Sequence, residues 1–134
     1  MLNKHCAGSE GTERQYNKIQ PGNTARFYDN AMLKGISMLY AVICNDKPES
    51  LDLRMKTRPD HVAFLTDLND RGILKTAGPF LDDNEKPCGS LVIIEADSKQ
   101  SAREIAAGDP YAKAGLFAAV DIRPYTWTFN NPEI

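Results

Sequence analysis

Apolar positions along this chain fall into four short runs and two helically spaced stripes, with polar or glycine- and proline-containing breaks between them. Met38-Leu39-Tyr40-Ala41-Val42-Ile43-Cys44 is nearly continuous and ends at Asn45-Asp46-Lys47-Pro48, which suits a strand inside a sheet. Ser50 to Met55 can form a preliminary helical turn or two. The main helix is expected from about Arg58 to Asp70, with Pro59 in its first turn, where the missing N–H is not needed, and Gly72 as its stop. Counting by three and four from His61 reaches Phe64, Leu65 and Leu68, so this imidazole shares the apolar side of the helix and not the side of Asp60, Asp67 and Asn69.

Ile73-Leu74-Lys75-Thr76-Ala77 reads as a second strand running into Gly78-Pro79, and Gly89 to Ala96 as a third, joined by the polar turn Asp82 to Pro87. Asp97 or Ser98 can cap a second helix over Ser101 to Ala107, which Gly108 ends. A turn from Asp109 to Ala114 leads into a fourth strand, Leu116 to Arg123. The order β-α-β-β-α-β predicts an α+β, ferredoxin-like fold, with two helices on one face of a four-stranded antiparallel sheet. The other face then needs a cover, and a second copy of the sheet is the simplest one, giving a homodimer, a dimeric α/β barrel. Pro124 to Asn130 alternates aromatic and polar residues, as an additional strand lacing two sheets together would.

Residues 1–37 differ from the rest. They are polar, punctuated by Gly8, Gly11, Pro21, Gly22 and Gly35, and have no sustained hydrophobic period. They read as an N-terminal extension ahead of a domain at 38–134. Asn23 or Thr24 can cap a short helix to Leu33, with Phe27, Tyr28 and Leu33 free to dock. An alternative is that translation begins at Met38, because Lys34-Gly35 can be encoded by a purine-rich run of the kind that positions a ribosome.

A chain of 134 residues holds one domain with a real core. The net charge of −2 divides into +2 on residues 1–37 and −4 on the remainder, which gives no basic field for nucleic acid. No long apolar run or signal-like start points to a membrane or to export, so the expected location is the cytoplasm. Cys6, Cys44 and Cys88 lack CxxC or Cys/His spacing and read as reduced thiols, with no zinc site. There is no glycine-rich phosphate loop, and the other histidine, His5, lies in the extension, so the sequence calls for neither a nucleotide, a metal nor another cofactor.

His61 is the first candidate for chemistry. An imidazole exchanges protons near neutrality, so one on a sheet-facing helix side can act as acid or base, or else serve as a hydrogen-bonded core residue. Met55, Phe64 and Leu68 read as core.

Met38-Leu39-Tyr40, Arg58-Pro59-x-His61, Gly72-x-Leu74-x-x-Ala77-Gly78-Pro79, Gly89-Ser90 and Asp109-Pro110-Tyr111-x-x-Ala114-Gly115 occur in order. In this respect the chain resembles the YciI-like (YCII-related) family of dimeric α/β-barrel proteins. The resemblance implies a homodimer, and a pocket with a histidine and an aspartate proposed as catalytic. It also implies lyase or isomerase chemistry on a small ring compound, as in a dehydrochlorinase or a muconolactone isomerase. The histidine falls on His61. For the aspartate, Asp70 is rotated about half a turn from His61 along the same helix and points to solvent. Asp109 follows the second helix, which lies beside the first, and is the better partner, although capping the turn at Pro110 would also explain it. Arg58 for an anionic group, Tyr111 for orientation, and Gly78 and Pro79 for close backbone approach complete the substrate-binding candidates, each with a packing explanation beside it. The expected mechanism is cofactor-free: His61, oriented by Asp109, moves a proton of an unidentified small molecule. The rival is a non-catalytic dimeric module that binds a small ligand or a protein.

Overall fold

The computed structural model describes residues 38–133. The short helix expected near residues 25–33 lies outside them. In chain order the elements are β1 (Met38–Asp46), α1 (Leu51–Asp70), β2 (Leu74–Leu81), β3 (Pro87–Ala96), α2 (Lys99–Ala107), the single-turn α3 (Pro110–Lys113) and β4 (Phe117–Tyr125). The strands form one antiparallel sheet in the order β2-β3-β1-β4. This is the ferredoxin-like α+β arrangement.

Alternation along the central strands decides which face is covered. Tyr40, Val42 and Cys44 of β1, Val92, Ile94 and Ala96 of β3 and Ile122 of β4 form one buried cluster with Leu68 of α1 and Ala102 of α2. The intervening positions, among them Leu39, Ala41 and Ile43 of β1 and Leu91 and Ile93 of β3, point to the opposite face. Burial pushes the thiol of Cys44 up to about 12, with Asp109 and Asp46 adding to the effect, so this free cysteine stays protonated. Cys88, expected as a thiol, is disulfide-bonded. Among the described residues no helix is long and apolar enough to cross a membrane.

Several boundaries differ from expectation for physical reasons. Leu51–Asp70 is one helix of 20 residues, with Pro59 inside it and not at a start. A proline there removes one intrahelical bond, at a cost of about 3 kcal/mol, but the carbonyl it leaves belongs to Met55, on the exposed side, where water can satisfy it. Arg54 before the proline and His61 and Leu68 after it are all buried, so tertiary anchoring on both sides holds the helix together. Met55 itself is 52% exposed and is no part of the core. Gly72, at φ +75°, supplies the left-handed residue that ends the helix.

The strand β2 continues through Gly78-Pro79 to Leu81, because it is an edge strand and a proline at an edge sacrifices no ladder bond. Downstream, β4 extends to Tyr125, but Thr126 to Asn130 form no additional strand; an alternating segment needs a neighbouring strand, and the described residues supply none there.

Gly89 fixes how closely β1 and β3 approach. A Cβ there would collide with the carbonyl oxygen of Cys44, a backbone atom of the neighbouring strand that cannot swing away. Gly89→Ala is expected to lower stability by about 2 kcal/mol or more, read as a reduced urea midpoint with an unchanged slope.

Candidate active site

α1 carries Arg54 and His61 seven residues apart, on one face and about 10.5 Å apart along the axis. Tyr111 of α3 fits between them. Its ring stacks on the His61 imidazole at 3.9 Å and 18°, and the Arg54 guanidinium lies over the same ring, with Cζ 4.6 Å from the centroid. Two groups that close to one ring occupy opposite faces, so Tyr111 is sandwiched and the imidazole plane is set by packing.

α3 is placed by Asp109, its N-cap, and one oxygen carries the arrangement. Asp109 Oδ1 accepts the Tyr111 backbone N–H at 2.9 Å and lies 2.8 Å from His61 Nδ1. Capping and contact with the histidine, the two readings of this aspartate, are therefore both realised in one atom. A carboxylate only accepts, so the bond assigns the neutral imidazole its proton at Nδ1 and leaves the Nε2 lone pair open. Both residues are buried, His61 at 8% and Asp109 at 6% exposure, whereas Asp70 is exposed.

His61 and Tyr111 line a cavity of about 260 Å³ between α1 and the β2–β3 hairpin. Arg58, Gly78 and Pro79 line it too, so the structure brings all the candidate residues to one place except Asp109, which stands behind His61. Arg58 and Pro79 are exposed at its mouth, and a side chain on Gly78 would meet no atom within 4 Å. Burial raises the Tyr111 hydroxyl above the ordinary tyrosine value, against the pull of Arg54 and Arg58, so it stays protonated. Among the described residues, no three His, Cys, Asp or Glu side chains gather as a metal would require.

The sequence reading missed a second polar group at the cavity, formed by Arg54, Asp46 and Ser90. Arg54 Nε donates to Asp46 Oδ2 at 2.7 Å, and Nη2 donates to Asp46 Oδ1 at 3.1 Å and to Ser90 Oγ at 2.8 Å. Burial alone would lower the guanidinium's affinity for its proton; the paired carboxylate and Tyr111 more than offset this, and the charge is held. The signal was the i, i+7 spacing of Arg54 and His61, hidden once Pro59 was read as the start of a separate helix.

Residues 38–126 match the YCII-related domain. Protein YciI of Escherichia coli is 40% identical over 98 residues, which cover 69% of this chain and 100% of that protein. An uncharacterised Haemophilus influenzae protein is 37% identical over the same shares of both chains. Among solved structures, the 5-chloro-2-hydroxyhydroquinone dehydrochlorinase TftG of Burkholderia phenoliruptrix, in complex with 2,5-dihydroxybenzoquinone, is 31% identical with a TM-score of 0.61; the match covers 70% of this chain and 99% of that one. The chain belongs to the YCII-related family.

Proposed function

We propose that this protein is a cofactor-independent lyase or isomerase of small hydroxylated ring compounds, with His61 as the acid/base and Asp109 as its orienting partner. The observation that carries the reading is the 2.8 Å Nδ1–Oδ1 bond at the floor of a cavity of about 260 Å³. That cavity is large enough for one aromatic ring and its substituents. Nε2 takes a proton from a ring hydroxyl or from a carbon next to a carbonyl, while Asp109 stabilises the imidazolium that forms. The same proton returned to another carbon completes an isomerisation, as in a muconolactone isomerase. When the electron pair instead expels chloride, the reaction is a dehydrochlorination, the activity of the relative TftG.

The unit proposed to do this is residues 38–134, paired with a second copy through the sheet face opposite the helices. Leu39, Ala41 and Ile43 line that face from β1, and Leu91 and Ile93 from β3.

Chloride release from 5-chloro-2-hydroxyhydroquinone tests the reading. Wild type is expected to release chloride, and His61→Asn to be slower by about a hundredfold or more with the fold intact. No conversion of this compound or of a set of unsaturated lactones, together with ligand binding indifferent to His61→Asn, would favour the non-catalytic module. Two variants of Asp109 separate scaffold from chemistry. Asp109→Ala loses both the cap and the imidazole partner and is expected to cost about 1–3 kcal/mol in urea unfolding. Asp109→Asn keeps an oxygen for the Tyr111 N–H, so it is expected to cost less than about 1 kcal/mol while turnover falls at least about tenfold.

A further inference from the structure

Polar groups at the cavity are divided by charge. Arg54 and Arg58 line it, and among the described residues no aspartate or glutamate does; Asp46 and Asp109, the carboxylates that hold Arg54 and His61, stand behind them. A ligand in the cavity therefore faces cations and hydroxyls. Ser90, 3% exposed, lines the same cavity. Its oxygen accepts the Arg54 Nη2–H at 2.8 Å, which fixes the lone pair toward the guanidinium and turns the hydroxyl proton elsewhere. Among the described residues that proton has no acceptor. A buried donor without an acceptor is costly, and the open side available to it is the cavity.

Resting on the acid–base reading above, we infer that Ser90 is a catalytic anion-holding donor and Arg54 its positioning residue, so that the cavity takes its ring compound as a phenolate or enolate, with the charged oxygen on Ser90 and the reacting proton at His61. The two sides act in one step. His61 Nε2 takes the substrate proton, and the electron pair of the broken bond passes through the conjugated ring to the oxygen held by Ser90. In the keto tautomer, where the chlorine-bearing carbon is tetrahedral, collapse of that anion forms a carbon–carbon double bond to this carbon as its carbon–chlorine bond breaks, and chloride departs with the bonding pair. The substrate has then lost one proton and one chloride ion, the proton leaves His61 for water, and no outside oxidant or reductant takes part. The substrate class that follows is a ring with an acidic hydroxyl conjugated to the reacting carbon. The fixed donor lies where negative charge develops, and its polarisation by a guanidinium strengthens it.

The probe for this assignment is 4-nitrocatechol, whose phenol and phenolate absorb differently, with the full chain. Wild type is expected to ionise the probe on binding, at a pH where the free probe is mostly neutral. Ser90→Ala removes one hydroxyl and leaves the Arg54–Asp46 pair in place; it is expected to bind the anion at least about tenfold more weakly. Binding of the non-ionisable dimethyl ether should change by less than about twofold. Arg54→Lys, which keeps the charge but loses the forked geometry, should reduce ionisation of the bound probe in the same direction. The inference is overturned if wild type binds the probe as the neutral phenol or not at all, or if Ser90→Ala holds the anion as tightly as wild type. Chloride release separates the two readings. Undiminished anion binding in Ser90→Ala, with release lost in His61→Asn, removes the donor and keeps the acid/base. Weakened anion binding in Ser90→Ala, with release unchanged in His61→Asn, keeps the donor and removes the base.

Discussion

One oxygen atom joins the fold to the chemistry. Asp109 Oδ1 begins α3 by accepting the Tyr111 N–H, and the same atom meets His61 Nδ1. The imidazole cannot lose its partner without loosening the turn that holds Tyr111 against its face. The converse also holds, because α3 is a single turn of four residues with little stability of its own and depends on its cap and on Tyr111 packed between Arg54 and His61. Precision at His61 comes from the Asp109 bond and the Tyr111 stack, which hold the ring while it lines the cavity.

The continuity of α1 follows from the same constraint. A helix broken at Pro59 would leave Arg54 and His61 on separate bodies, and the ring between them would have nothing to be clamped against. Pro59 survives inside the helix because Arg54 is tied to β1 through Asp46 and to β3 through Ser90, while Leu68 anchors the far end in the core. Buried ion pairs contribute little net stability once desolvation is counted, but they fix geometry strongly. Here the Arg54–Asp46 pair fixes both a hydroxyl and an aromatic ring at the wall of one cavity.

Periodicity revealed the elements whose burial is one-sided. The alternation of β1 and the spacing of His61, Phe64, Leu65 and Leu68 placed the sheet and the imidazole, and helix packing over one sheet face brought Asp109 to His61 rather than Asp70. Arg54 and Asp46 were not legible, because each looks like a solvated charge until the tertiary fold pairs them across eight residues. Proline rules misled at Pro59 and at Pro79 for one reason: they describe the local backbone, while anchoring at both ends of α1 and the edge position of β2 are set by the whole fold. The aromatic alternation after Pro124 suggested a strand for which the described residues give no partner. Ser90 was visible only as part of a Gly-Ser pair; its role depends on which atom donates to it.

The account rests most directly on the tautomer of His61, which nitrogen-15 NMR of the imidazole reads. With Asp109 accepting from Nδ1, the neutral ring is predicted to show a protonated Nδ1 and an unprotonated Nε2, and Asp109→Ala is predicted to relax that preference toward a mixture. A neutral ring in wild type with its proton on Nε2 would contradict the account, because the cavity would then face a donor where the proposed chemistry needs a base.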